Sequence, residues 1–81
     1  MSVRLYVRNE CIQSNSVKMF LSMLGVPFEE RNVDENESFS NDLMLIHEQW
    51  GRETVPVITG DEFDPIFGFE PDELKLIFGE L

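Results

Sequence analysis

Cys11, the only cysteine of the chain, stands where an alternating apolar stretch gives way to a helical pattern. A helix start presents unpaired backbone N–H groups and a partial positive charge. Both favour the thiolate, which is the reactive form of cysteine. Three residues on, where a C-x-x-C motif would carry its second cysteine, stands Ser14, so the motif reads Cys11-Ile12-Gln13-Ser14. The chemistry on offer is that of one thiol. It can attack a disulfide and form a mixed disulfide, which an outside thiol must then release. Ser14 is no thiol and cannot release the adduct, but its hydroxyl can donate a hydrogen bond to the thiolate. Glu10, next to the cysteine, works against the negative charge.

Eighty-one residues make one small domain, here residues 1–81. A chain this short buries only about 60% of its unfolded surface, so every apolar stripe has to be used. Apolar residues make up 42%, including seven Phe, one Trp and one Tyr, which is enough for a core and argues against a disordered chain. A single cysteine excludes an internal disulfide and a cysteine-based metal cage, so no metal site is expected. The net charge of −10 argues against nucleic acid and anionic membranes as partners. That charge is uneven. Residues 1–27 hold Arg4, Arg8 and Lys18 against Glu10, whereas residues 28–81 hold Arg31, Arg52 and Lys75 against 15 acids. The cysteine thus lies in the one stretch that is not acidic. No run approaches the roughly 20 apolar residues of a membrane span, and the N-terminal residues lack the apolar core of a signal peptide. A monomer in the cytoplasm is the expectation.

The elements that must position the cysteine follow from periodicity. Val3, Leu5 and Val7 alternate with polar neighbours, a strand with one apolar face. Val17, Phe20, Leu21 and Leu24 fall at helical spacing, and Met19 and Met23 are read as widening that stripe into the core. Gly25 and Pro27 end the helix. Val26 to Val33 returns as a second strand, parallel to the first through a right-handed crossover. Phe39, Leu43, Ile46, His47 and Trp50 mark a second helix, with His47 and Trp50 read as packing residues and Gly51 closing it. Thr54 to Ile58 is a strand-like run with Pro56 at its start, and Thr59 to Glu62 is a turn. Phe63 to Gly68 is an edge strand marked by Pro65. Glu70-Pro71-Asp72-Glu73 opens a last helix with the stripe Leu74, Ile77, Phe78 and Leu81. The order β-α-β-α-β-β-α predicts an α/β fold, a four-stranded mixed sheet with three helices on its faces.

A cysteine after the first strand of a βαβ unit, at a helix start, resembles the site plan of thioredoxin-fold redox proteins. Four further features are similar to the glutaredoxin family and its NrdH-redoxin branch. These are the strand and basic residue ahead of the cysteine in Leu5-Tyr6-Val7-Arg8-x-x-Cys11, the pair Val33-Asp34, the run Thr54-Val55-Pro56-Val57, and Gly68-Phe69-x-Pro71-Asp72. The resemblance implies a thioredoxin-like fold of glutaredoxin size and thiol–disulfide exchange in redox homeostasis and electron transport. It implies that Cys11 attacks as thiolate with Arg8 near it, and that Pro56 is cis and packs beside the cysteine. The backbone of Val55, beside Thr54, would pair with an extended substrate, and Arg52 would hold a ligand carboxylate, with Gly68 and Phe69 closing the groove.

The departures matter as much. With Ser14 in place of the resolving cysteine, the resemblance implies a monothiol disulfide oxidoreductase acting on a protein disulfide or a glutathione mixed disulfide, with thioredoxin reductase a further partner. Glutathione is at most a co-substrate. Phe69 crowds its corner, and Glu70, Asp72 and Glu73 repel a carboxylate. Two other readings stand beside this one. One is a redox-inactive binding module that uses the groove next to Pro56. The other is iron–sulfur cluster binding as in monothiol glutaredoxins, which carry C-G-F-S and an inserted loop that this chain lacks.

Overall fold

The computed structural model describes residues 2–79. Its elements are β1 (Val3–Val7), α1 (Ile12–Met23), β2 (Glu29–Asn32), α2 (Glu37–Trp50), β3 (Val57–Gly60), β4 (Phe63–Phe67) and α3 (Pro71–Phe78). The strands lie in the order β2-β1-β3-β4. β1 runs parallel to β2 and antiparallel to β3, and β3 pairs antiparallel with β4. This is the expected mixed sheet with three helices, a thioredoxin-like fold. Among the described residues no helix is long and apolar enough to cross a membrane.

β1 lies between β2 and β3, so both of its edges are paired, and helices cover both of its faces. Val3, Leu5 and Val7 point into a core with Val17 and Leu21 of α1 and Leu74 and Phe78 of α3. Tyr6, on the opposite face, is buried with Val33, Leu43 and Val57 under α2. The strand is therefore apolar on both faces, because the tyrosine ring serves as core while its hydroxyl accepts from Arg31 Nη1 at 3.0 Å. Full burial of a side chain such as Leu5 or Leu21 contributes about 1.5–3 kcal/mol.

Local signals place the helix ends. The Asn36 side chain accepts from the N–H groups of Ser38 and Phe39 and caps α2. Gly51 closes that helix at φ +65°, a left-handed position suited to glycine. Pro71 occupies the first turn of α3 with Asp72 and Glu73.

Four expectations change. Met19 and Met23 are 68% and 80% exposed rather than core. Each lies two positions from a buried residue of α1, about 200° around the helix, so they face solvent together with Ile12. Trp50 is 41% exposed, because the α2 stripe is fully covered only at Leu43. β2 is limited to the polar residues Glu29–Asn32, with buried Val26 and Val33 on either side. Thr59 and Gly60 belong to β3, leaving Asp61 and Glu62 as the turn. Leu81, assigned to the last stripe, lies outside the described residues.

Candidate active site

Cys11 is the N-cap residue of α1, with extended backbone (φ −97°, ψ 113°) and a half-buried free thiol. The chain reaches it through Glu10, which holds a left-handed φ of +58°. Few non-glycine residues adopt that conformation, and it needs support from outside the turn. The support comes from the connection after β2. The Asp34 carboxylate accepts the Asn9 N–H at 2.9 Å, and Asn32 Nδ2 donates to Asn9 Oδ1 at 2.8 Å. The Asp34 N–H in turn donates to Asn32 Oδ1 at 2.9 Å. Val33 N–H donates to the Val7 carbonyl at 2.9 Å and extends the parallel ladder to the edge of the loop. The Val33-Asp34 pair of the sequence is thus a brace for the turn that presents Cys11. Sequence reasoning noticed the pair without its job, and missed Asn9 and Asn32 altogether.

Ser14 is the other residue the sequence left incomplete. It lies in the first turn of α1, on the same face as Val17 and Leu21, and is only 2% exposed. Its hydroxyl has no hydrogen-bond partner, Cys11 included. The expected hydrogen bond to the cysteine is absent here, because the helix directs Ser14 toward the core. A buried polar atom without a partner is rare and calls for a reason.

In the loop that leads into β3, the Val55–Pro56 peptide bond is cis and Pro56 is buried. The Pro56 carbonyl accepts the Gly68 N–H at 2.7 Å. His47 Nε2 donates to the Thr54 carbonyl at 2.8 Å and so ties the end of α2 to the Pro56 loop. Val55 lies between these two engaged carbonyls, and its own N–H and C=O have no partner among the described residues. Gly68 sits at φ +83°, where any L side chain is strained, and a Cβ there would lie 3.6 Å from Gln13 Oε1. The first turn of α1, the Pro56 loop and the end of β4 therefore meet. Phe69 packs edge-on against Phe20, centroids 5.8 Å apart, as part of the core under α1.

The two predicted cations are brought to one open hollow. Arg8 and Arg52 both line it, with His47 at its wall. Arg8 is exposed and has no ion-pair partner among the described residues, while Arg52 lies over the Phe67 ring at 5.3 Å. Arg31 has a different task. It bonds Tyr6 and Glu29, approaches Asp42 at 3.5 Å and lies over the Phe39 ring, tying β2 to α2. Partial burial works against its charge, but the hydrogen bonds to Glu29 and Tyr6 outweigh it and raise its pKa above the usual arginine value.

This geometry has counterparts. The family model for glutaredoxins matches residues 3–63. The chain belongs to the glutaredoxin family. It is 38% identical over 72 residues to the glutaredoxin-like protein NrdH of Lactococcus lactis subsp. lactis, covering 89% of this chain and 93% of that one. Among solved structures it is similar to the NrdH-redoxin of Escherichia coli, a glutaredoxin-like protein with a thioredoxin-like activity profile. That match has a TM-score of 0.79 at 27% identity and covers 95% of both chains. A glutaredoxin from Archaeoglobus fulgidus aligns with a TM-score of 0.75 at 27% identity, over 93% of this chain and 83% of the other. This glutaredoxin carries one thiol, a buried serine where a second would stand, and two arginines on one open hollow.

Proposed function

We propose that this glutaredoxin carries out thiol–disulfide exchange through Cys11 alone. The observation that carries the reading is the placement of a half-buried free thiol at the N-cap of a twelve-residue helix. There the thiol stands at the open end of the helix, where a substrate disulfide can reach it. In the first step the Cys11 thiolate attacks one sulfur of a substrate disulfide, the substrate S–S bond breaks, and one half leaves as thiolate. The other half remains on Cys11 as a mixed disulfide. Its extended backbone is received by the free N–H and C=O of Val55 as an added strand. A second thiol from outside then restores Cys11, since Ser14 cannot. The protein passes two electrons from thiols to a disulfide in a reducing compartment, which we take to be the cytoplasm.

Arg8 and Arg52 line one open hollow together with Glu48 and Glu53, so a partner's carboxylate that reaches it meets charges of both signs, and a glutathione mixed disulfide is one such partner. The exposed acids Glu70, Asp72 and Glu73 at the start of α3 disfavour a second carboxylate there. Glutathione is therefore read as a weakly held co-substrate.

Mixed disulfides trapped from cell extract test the reading, with the Cys11→Ala variant as control. Partners that depend on Cys11 support exchange. Partners kept equally by both forms would make the protein a binding module without redox chemistry. The Ser14→Cys variant adds a second arm. It should form an internal disulfide and be reduced by thioredoxin reductase, whereas the wild type should not sustain that turnover without an added thiol.

A further inference from the structure

His47 is the only histidine of the chain, and it is used twice at one junction. Its main-chain carbonyl accepts the Gly51 and Arg52 N–H groups and closes α2. Its half-buried ring reaches on to the Thr54 carbonyl, with Nε2 2.8 Å from the oxygen. A carbonyl only accepts, so Nε2 carries a hydrogen. One residue thus fastens both ends of the short connection from Gly51 to Thr54.

That fastening sets a single peptide plane. The Thr54 carbonyl and the Val55 N–H belong to one planar unit. The cis bond lies one step later, at Val55–Pro56. The Thr54–Val55 bond is trans, so its C=O and N–H point in opposite directions. With the oxygen held by α2, the Val55 N–H is turned away from α2. It is the last main-chain donor ahead of β3, because Pro56 has no N–H. The parts beyond this plane are held by other means. The Pro56 carbonyl accepts the Gly68 N–H at 2.7 Å, and the Val55 side chain packs against the cluster of Tyr6, Leu43 and Val57. Thr54 is exposed, and among the described residues no other hydrogen bond holds its main chain. The orientation of the Val55 N–H therefore depends on His47.

We propose that His47 is a positioning residue for the exchange reaction. It aims the Val55 N–H at the main chain of a bound substrate, and so favours disulfides carried on an extended peptide over small disulfides without one. This role rests on the strand pairing at Val55 proposed above. A peptide lying along Val55 offers a carbonyl to that N–H. A small disulfide has no such carbonyl and gains nothing from it. His47 acts through the Thr54–Val55 peptide and takes no part in the sulfur chemistry.

The test uses two mixed disulfides of thionitrobenzoate, one with a blocked cysteine tripeptide and one with mercaptoethanol. The Cys11 thiolate attacks the sulfur of the peptide or of mercaptoethanol. A new S–S bond forms there, the old one breaks, and thionitrobenzoate, the better leaving group, departs as a coloured thiolate. Each rate is divided by that of an unstructured cysteine peptide with the same disulfide. In wild type this ratio should be higher for the tripeptide disulfide. His47→Leu and His47→Phe fill the space without a donor, and each is assayed where its urea curve shows it folded. Both should lower the tripeptide ratio about fivefold, the worth of one hydrogen bond, and leave the mercaptoethanol ratio unchanged. His47→Gln, whose amide nitrogen stands as many bonds from the main chain as Nε2, should keep the tripeptide ratio. In wild type, amide exchange at Val55 should also be slower in the tripeptide adduct of Cys11 than in the mercaptoethanol adduct.

A loss shared equally by both substrates is a general structural effect and overturns the positioning role. So does no loss, a loss that His47→Gln shows in full, or equal Val55 exchange in the two adducts. A wild type without preference for the tripeptide overturns it too, and leaves exchange through Cys11 standing. Release no faster than from Cys11→Ala with either substrate overturns exchange and the positioning role together.

Discussion

Replacing Ser14 by alanine should make the protein more stable. The Ser14 hydroxyl is buried without a partner, so the folded state carries its desolvation with no hydrogen bond in return. Such a group costs about 1–3 kcal/mol. Alanine keeps the Cβ and removes one oxygen. The void left behind subtracts little, at about 24 cal/mol per Å³. The expected net gain is about 1 kcal/mol, which in a domain of this size raises Tm by about 4–8 °C. Alanine also favours helices over serine, by at most about 0.7 kcal/mol. Ser22 lies exposed on the same helix, so Ser22→Ala measures that contribution alone. Urea unfolding should show a higher midpoint for Ser14→Ala than for Ser22→Ala, with the slope unchanged. A loss of stability, or a gain no larger than that of Ser22→Ala, would refute the reasoning and show that the hydroxyl is satisfied in solution.

Three other substitutions probe the frame around the thiol. Asp34→Ala removes the acceptor of the Asn9 N–H and should lower stability by about 1 kcal/mol; amide exchange at Asn9 should rise by a larger factor than at core amides such as Leu5. Gly68→Ala meets no close atom, so its expected loss of about 1–2 kcal/mol comes from the left-handed backbone, and the urea midpoint reads it directly. Arg31→Met keeps much of the side-chain length over Phe39 and loses the bonds to Tyr6, Glu29 and Asp42. It should cost about 1–2 kcal/mol, read from the same unfolding curve, with the difference from wild type shrinking in high salt as the ion pairs are screened.

What the chain revealed before its structure was whatever depends on near neighbours. Val3, Leu5 and Val7 report a strand by alternation, and Val17 with Leu21 reports a helix by spacing, because both periods are local. The cis bond at Pro56 was legible through resemblance, since family motifs carry geometry that periodicity does not. Pairings across the fold stayed hidden. Asn9 meets Asp34 only because β1 and β2 lie side by side, and no spacing in sequence announces it. Ser14 read as an active-site group aimed at Cys11, but helix phase sends it to the same face as Val17. Met19 and Met23 looked like core by residue type, and two steps around the helix put them in water. Composition is a weaker guide than phase.

Both outer strands of the sheet are unattractive to another strand. β2 carries Glu29, Glu30 and Arg31 along one edge, and β4 carries Pro65 on the other. Charges and proline are the usual means by which an edge avoids recruiting a neighbouring chain. The unpaired backbone of Val55 lies at neither edge, in the loop that enters β3 beside the cis proline. On the exchange reading proposed above, an extended peptide would therefore be steered from the flanks to one short stretch, which has room only for a strand too brief to seed an aggregate and which leads toward the helix that begins at the thiol.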